Sequence, residues 1–188
     1  MRRVRYGVAS SLDGFIAGPE GQADWILMDP ELDFAAMFRQ FDTFLVGRRT
    51  FTAMAASGHT APAPGITTYV FSRTLEPADY PGVTIVRDDA ASVVARLRTE
   101  PGKDIALFGG GGLFRSLLDA GQVDTVELSV IPVLLGGGVP ILPPPYGRVP
   151  LKLIRHRVLA ATGTISLEYE IAVRPRRSES RRARRTIG

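Results

Sequence analysis

The chain reads as an α/β domain with a mostly parallel central sheet, an antiparallel C-terminal edge hairpin and helices on both faces. Three observations predict this. Short apolar runs alternate with helical patterns as far as residue 121, as in βα units joined into a parallel sheet. Two last runs, residues 151–159 and 164–173, follow each other across a short turn. In the second, Ile165, Leu167, Tyr169, Ile171 and Val173 keep a strict period of two, which marks an antiparallel hairpin. Finally, polar or glycine-rich clusters stand where three of the apolar runs end, and ligands of parallel sheets gather at the carboxyl ends of strands.

The first strand spans residues 4–10. Ser11-Leu12-Asp13-Gly14-Phe15-Ile16 follows, a loop with turn residues but two apolar side chains, which should lie over something. It continues to Trp25, the single tryptophan, and residues 11–25 form a candidate lid. Asp29-Pro30 then opens a helical pattern, with Asp29 as N-cap, Pro30 in the first turn, and Phe34, Met37, Phe38 and Phe41 on one face. The second strand, 43–46, runs into Gly47, Arg48, Arg49 and Thr50 at a helix start. There free N–H groups, a hydroxyl and two guanidiniums suit an anion, although cations at that end oppose the helix dipole. A third strand, 67–71, ends in Ser72-Arg73-Thr74. A fourth covers 83–86, a helix 90–97, a fifth strand 105–108 and a sixth 123–131. Residues 132–140 form a loop with few polar side chains.

Between the fifth strand and the helix at 113–118 lie Gly109, Gly110, Gly111 and Gly112. Lacking Cβ atoms, they let the backbone turn tightly and lie against a ligand, and the helix behind them offers unpaired N–H groups to a phosphate. A plain strand-to-helix turn is the competing reading.

The composition bounds the function. The chain has 188 residues, enough for one domain with a substantial core. It has no cysteine and two distant histidines, so neither a disulfide nor a metal centre is expected. No run is long enough for a membrane helix and the N-terminus shows no signal-peptide pattern, which predicts a cytoplasmic protein. The net charge of +4 is misleading. Residues 174–188 hold seven arginines and one acid, so subtracting their +6 leaves −2 for residues 1–173. The tail should be a disordered appendage to a domain over 1–173. A nucleic-acid role through its charge alone is the less favoured reading.

At this point the chain resembles a known family. Ser11-Leu12-Asp13-Gly14, Asp24-Trp25, Val46-Gly47-Arg48-Arg49-Thr50-Phe51, Phe71-Ser72-Arg73 and Gly109-Gly110-Gly111 occur in the order of the dihydrofolate reductase-like superfamily. Within it, Ser-Leu-Asp-Gly, Trp25-Ile26, Val123-Asp124 and Leu135-Gly136 are closer to the reductase domain of the bifunctional riboflavin-biosynthesis deaminase-reductase and its single-domain relatives. The resemblance implies a three-layer fold, NADPH as hydride donor and a small-molecule substrate, and a homodimer is compatible with it. It assigns Arg48, Arg49 and Thr50 to the 2′-phosphate and pyrophosphate, and Ser72 and Arg73 to the 2′-phosphate and adenine side. The glycine run would lie under the pyrophosphate, Gly47 beside it, and Ala9 and Ile16 by the nicotinamide. It also implies a cis peptide between Gly109 and Gly110.

The same resemblance frames three substrate-side candidates. Asp13 orients substrate or relays a proton, or else serves a plain Asp-Gly turn. Glu31 anchors a ring, or is a helix-dipole carboxylate. Trp25 walls the substrate. The carboxylate that dihydrofolate reductase uses for its pterin is one residue out of step at Glu31, and the zinc deaminase half is absent because no Cys-x-x-Cys exists. The expected activity is therefore that of a 5-amino-6-(5-phosphoribosylamino)uracil reductase-like enzyme. A dihydrofolate or pterin reductase and an NADPH-binding protein without catalysis are the alternatives.

Overall fold

The computed structural model describes residues 1–145 and 147–172. The expectation of a disordered basic tail lies outside the described residues. Strands β1 (Val4–Ser11), β3 (Phe41–Gly47), β4 (Thr67–Phe71), β5 (Thr84–Val86), β6 (Asp104–Gly109), β7 (Thr125–Ile131), β9 (Leu151–Leu159) and β10 (Thr164–Ile171) form one eight-stranded sheet. Its order is β5-β4-β3-β6-β1-β7-β10-β9. All pairs from β5 to β7 are parallel, and β10 runs antiparallel to both β7 and β9. A separate two-stranded ladder joins β2 (Phe15–Ala17) to β8 (Val139–Pro140). The helices are α1 (Phe34–Phe38), α2 (Arg48–Ala56), α3 (Ala90–Thr99) and α4 (Gly111–Asp119), with a single 3-10 turn at Pro77–Asp79.

Side chains alternate across the sheet and sort the helices into two layers. Tyr6, Leu45, Ile105 and Leu107 pack with Val94 and Leu97 of α3 and with Phe114 and Leu117 of α4. Their sequence neighbours Phe44 and Val46, with Val70, pack instead against Phe51 of α2. Tyr6 stacks on Phe114 with ring centroids 3.8 Å apart, and burial pushes its phenol pKa upward. Helices thus cover both faces of a mostly parallel sheet with an antiparallel edge, the arrangement read from the sequence.

Two local details differ. The first helix is only five residues long and is capped by Asp33, whose carboxylate accepts from the Ala36 N–H. Asp29 is not its N-cap. The Asp29 carboxylate accepts from the Glu31 N–H and reaches across to the N–H and hydroxyl of Thr162, in the β9–β10 turn. A long-range partner has taken the group that local pattern assigned to a cap. The loop after β7, in turn, contains the short strand β8, which pairs with β2.

Candidate functional site

The carboxyl ends of β4, β3 and β6 lie side by side, because Gly47 is in register with Phe71 and Val46 with Gly109. This brings together all three polar clusters. Gly47 is the N-cap of α2 and Gly110 that of α4, and neither helix end has a side-chain cap. The other two helices begin at Asp33 and Asp89, whose carboxylates satisfy backbone donors. The two starts beside the glycine run therefore keep free N–H groups where the other two are closed.

Around them stand Arg48, Arg49 and Arg73, all exposed. Among the described residues their guanidiniums make no hydrogen bond or ion pair. By contrast Arg2, Arg5, Arg98, Arg155 and Arg157 are bound to Asp42, Glu127, Asp124, Glu168 and Glu31. Ser72 is buried, and its hydroxyl accepts from the N–H groups of Thr74 and Leu75, which fixes the turn that carries Arg73.

The glycine run divides by position. The Gly109–Gly110 peptide is cis, and Gly109 has φ +129°, a conformation L side chains rarely adopt. A Cβ on Gly110 would lie 3.2 Å from the Thr50 hydroxyl, and one on Gly111 would lie 2.9 Å from the Pro140 carbonyl oxygen. A Cβ on Gly112 would meet nothing within 4 Å. Thr50 therefore stands against the front of the run, and Gly111 packs against the backbone of Pro140 and Ile141.

Next to this cradle the sheet has an open floor. Gly7 and Ala9 of β1 share a face with Phe108 of β6, as the pairing of Arg5 with Ala106 requires. Phe108 is 40% exposed, and a Cβ on Gly7 would meet nothing within 4 Å. Sequence reading singled out Ala9 but missed Gly7 and Phe108. The signal available was a glycine within an otherwise apolar strand.

The three substrate-side candidates fall in different surroundings. The Asp13 carboxylate accepts from the Ser11 hydroxyl at 2.6 Å, from the Gly136 N–H at 2.7 Å and from the Leu135 N–H at 3.1 Å. The Ser11 hydroxyl also accepts from the Phe15 N–H. Asp13 thus fastens the β1 loop to the loop after β7, and the Ser11 bond foremost, with the Gly136 and Leu135 amides, holds its carboxyl below the usual range. Ile16 is half-buried in β2, which β8 pins in place. Residues 11–17 of the expected lid are therefore tied down. Trp25 is half-buried, with its indole N–H on the Gln22 carbonyl. Glu31 accepts from Arg157 at 2.5 Å and from the Ala160 N–H, so its carboxylate joins Asp29 in binding the hairpin turn. Sequence reading missed Arg157 and Thr162, whose partners lie more than 120 residues away.

A cavity of about 510 Å³ lies at the opposite, amino end of the strands, bordered by Met1, Arg2, Arg98 and Gly102. Its arginines are already paired with Asp42 and Asp124. Among the described residues no helix is long and apolar enough to cross a membrane.

Comparison with known proteins bears on this arrangement. Residues 2–164 match the family model described as the RibD C-terminal domain. The chain is 34% identical over 179 residues to the uncharacterized protein YyaP of Bacillus subtilis, covering 89% of this chain and 94% of that one. It superimposes on a Shewanella sp. PV-4 protein assigned to riboflavin biosynthesis with a TM-score of 0.79 at 24% identity, over 92% of this chain and 100% of that one. On dihydrofolate reductase of Enterococcus faecalis, solved with NADP(H), the TM-score is 0.66 at 20% identity, over 90% and 96% of the two chains. The chain belongs to the RibD C-terminal domain family, and its fold is that of dihydrofolate reductase.

Proposed function

We propose that the protein is an NADPH-dependent reductase of the riboflavin-biosynthesis type, acting on a substrate like 5-amino-6-(5-phosphoribosylamino)uracil. One observation carries the cofactor reading. Two neighbouring helix starts, capped by Gly47 and Gly110, are open to an anion and flanked by three unengaged arginines. Such a cradle matches a pyrophosphate and a 2′-phosphate. The residues present fit the cofactor. Gly109, Gly110 and Gly112 with Thr50 would lie against the pyrophosphate, and Arg48, Arg49, Ser72 and Arg73 would hold the 2′-phosphate side. Bound NADPH supplies the hydride.

The chain's own residues do the rest. Gly7, Ala9 and Phe108 form a flat floor against which a planar ring can lie. Asp13 holds the two loops that form one wall, and its carboxylate, ionised and fully engaged, acts as a fastener rather than a proton donor. Trp25 closes the far side. A riboflavin-type substrate is favoured over folate because Glu31, the nearest counterpart of the pterin carboxylate, is already paired with Arg157.

Two measurements test this. NADPH should bind much more tightly than NADH, and equal affinities would overturn the cofactor assignment. Steady-state kcat/KM with NADPH, measured for dihydrofolate and for the ribosylaminouracil phosphate, should favour the latter by a large factor, since a site built for one heterocycle leaves polar groups unpaired with another. Efficient turnover of dihydrofolate would overturn the substrate choice.

A further inference from the structure

The floor made by Gly7, Ala9 and Phe108 has a polar edge on the neighbouring strand. In the register of β1 with β7, Gly7 stands beside Glu127 and Ala9 beside Ser129, and paired residues share a face. Val126, between them, points the other way into the core under α3 and α4. The apolar cluster under α2 takes in Ala106 of β6 but, among the described residues, nothing from β1 or β7. A Cβ on Gly7 would meet nothing within 4 Å. Glu127 and Ser129 border that gap.

Glu127 is fixed in place with one acceptor site to spare. Its two carboxylate oxygens accept from Nε and Nη2 of Arg5, and Oε1 also accepts from the Thr125 hydroxyl at 3.4 Å. Arg5 precedes Gly7 on the same face of β1, so the pair turns the carboxylate toward the gap. Gln40 and Asp104 hold Arg5 in turn, and its guanidinium lies 4.7 Å from the centre of the Phe41 ring. An ionised carboxylate offers about four acceptor sites. Three are filled, and the fourth is on Oε2 of a side chain that is 24% exposed. Glu168, opposite Glu127 on β10, is instead drawn outward to Arg155. The Ser129 hydroxyl makes no hydrogen bond among the described residues.

We propose that Glu127 determines which ring the site accepts: its Oε2 receives an N–H or amino group on the edge of the substrate, which is a heterocycle with such a donor edge, an aminopyrimidine in the simplest case. This rests on the reductase reading and names what that site selects. The Arg5 pair keeps Glu127 ionised, so the bond to the ring is charge-assisted. The pair is neutral overall, so it does not repel a phosphorylated substrate. Ser129 lies two residues, about 7 Å, further along β7. Its hydroxyl can donate or accept and meets the next polar group of the same ring or of its ribosyl arm. A ring that turns only acceptors to this edge sets lone pairs against the carboxylate and is rejected.

Ring binding tests this without turnover. The full chain, with and without NADPH, is titrated with 5,6-diaminouracil, which carries amino and ring N–H donors, and with 1,3-dimethyluracil, which carries none. Wild type should prefer the first by about tenfold or more, as for one charge-assisted hydrogen bond. Glu127→Gln should weaken the diamino ring alone and so cancel most of that preference, because Arg5 keeps the amide oxygen and the gap then meets a donor. NADPH affinity should not change. Glu168→Gln, one strand further out, should keep the preference. A wild type that binds neither ring or both alike would overturn the proposal, as would a Glu127→Gln variant that keeps the preference. Should that variant fail to fold once Arg5 loses its charged partner, Gly7→Val decides. Its side chain enters open space beside Glu127 and should leave the fold intact while blocking the diamino ring, and undiminished binding would overturn the proposal. A wild type that fails to bind NADPH would count against the cofactor reading alone, because ring binding is also read without cofactor.

Discussion

Single residues divide the glycine run into parts with different consequences. Gly112→Ala enters open space and should leave folding unchanged. Gly110→Ala should fold yet lose cofactor binding, because its Cβ would lie 3.2 Å from the Thr50 hydroxyl, in the cradle proposed for the pyrophosphate. Gly111→Ala meets the backbone oxygen of Pro140 and should lower the melting temperature whether or not cofactor is present. Fluorescence titration with NADPH beside thermal unfolding separates the three, and normal binding by Gly110→Ala would reduce the run to a turn. Arg48→Ala should weaken NADPH roughly ten- to hundredfold while changing NADH little, as expected for one lost charge-assisted hydrogen bond. Comparable losses for both cofactors would remove Arg48 from the 2′-phosphate. Asp13→Asn keeps the size of the side chain but not the charge that receives three donors. It should lower kcat roughly tenfold or more through misplaced loops, with a shallow pH profile like that of the wild type. A profile that loses an acid limb on substitution would instead make Asp13 a proton carrier.

Elements differ in how far their neighbours in sequence determine them. Strands β1, β3, β4, β6, β7 and β10 and helices α3 and α4 were legible to within a few residues, because each carries a regular apolar stripe that records its own period. The short strands β2 and β8, three and two residues long, carry no period and exist because they meet each other. The start of α1 misled for a related reason. Asp29-Pro30-Glu31 has every mark of a helix opening, yet its carboxylates are spent on Thr162, Ala160 and Arg157. Of the candidate site, the glycines and arginines at strand ends were legible, because each stands beside an apolar run, while the partners of Asp13, Asp29 and Glu31 were not, because they lie far apart in the chain. The Asp29 contact carries its own prediction. The Thr162 hydroxyl foremost, with the Glu31 and Thr162 amides and the Arg157 charge, holds the Asp29 carboxyl below the usual range. A carboxyl depressed in the folded state adds stability that is complete above its unfolded pKa of ~3.9 and fades as the pH falls through the folded value. Asp29→Asn should therefore be less stable than wild type at neutral pH, with the gap narrowing in acid. Thermal unfolding from neutral pH to about pH 3 would show it, and a gap constant with pH would exclude the carboxylate as the source.

The whole molecule is held by a core that runs through its central strands. Leu107 is fully buried on β6, in the cluster that joins β1 to α3 and α4. Leu107→Ala should cost about 2–5 kcal/mol, as for other buried leucines. Denaturant unfolding would measure it, and a loss below about 1 kcal/mol would mean that the site relaxes around the gap. The strand order has a consequence for how the chain is made. β1 sits between β6 and β7, pairing with Ile105 on one side and Thr125 on the other. In a nascent chain β1 must wait about a hundred residues for β6, where Val4 meets Ile105, and about 120 for β7, where Arg5 meets Thr125. Folding during translation can begin with β3, β4 and β5, but the sheet cannot close before β6, β7 and the hairpin have followed, and chaperones that shield an early apolar strand would meet this protein with Val4 and Tyr6 still bare.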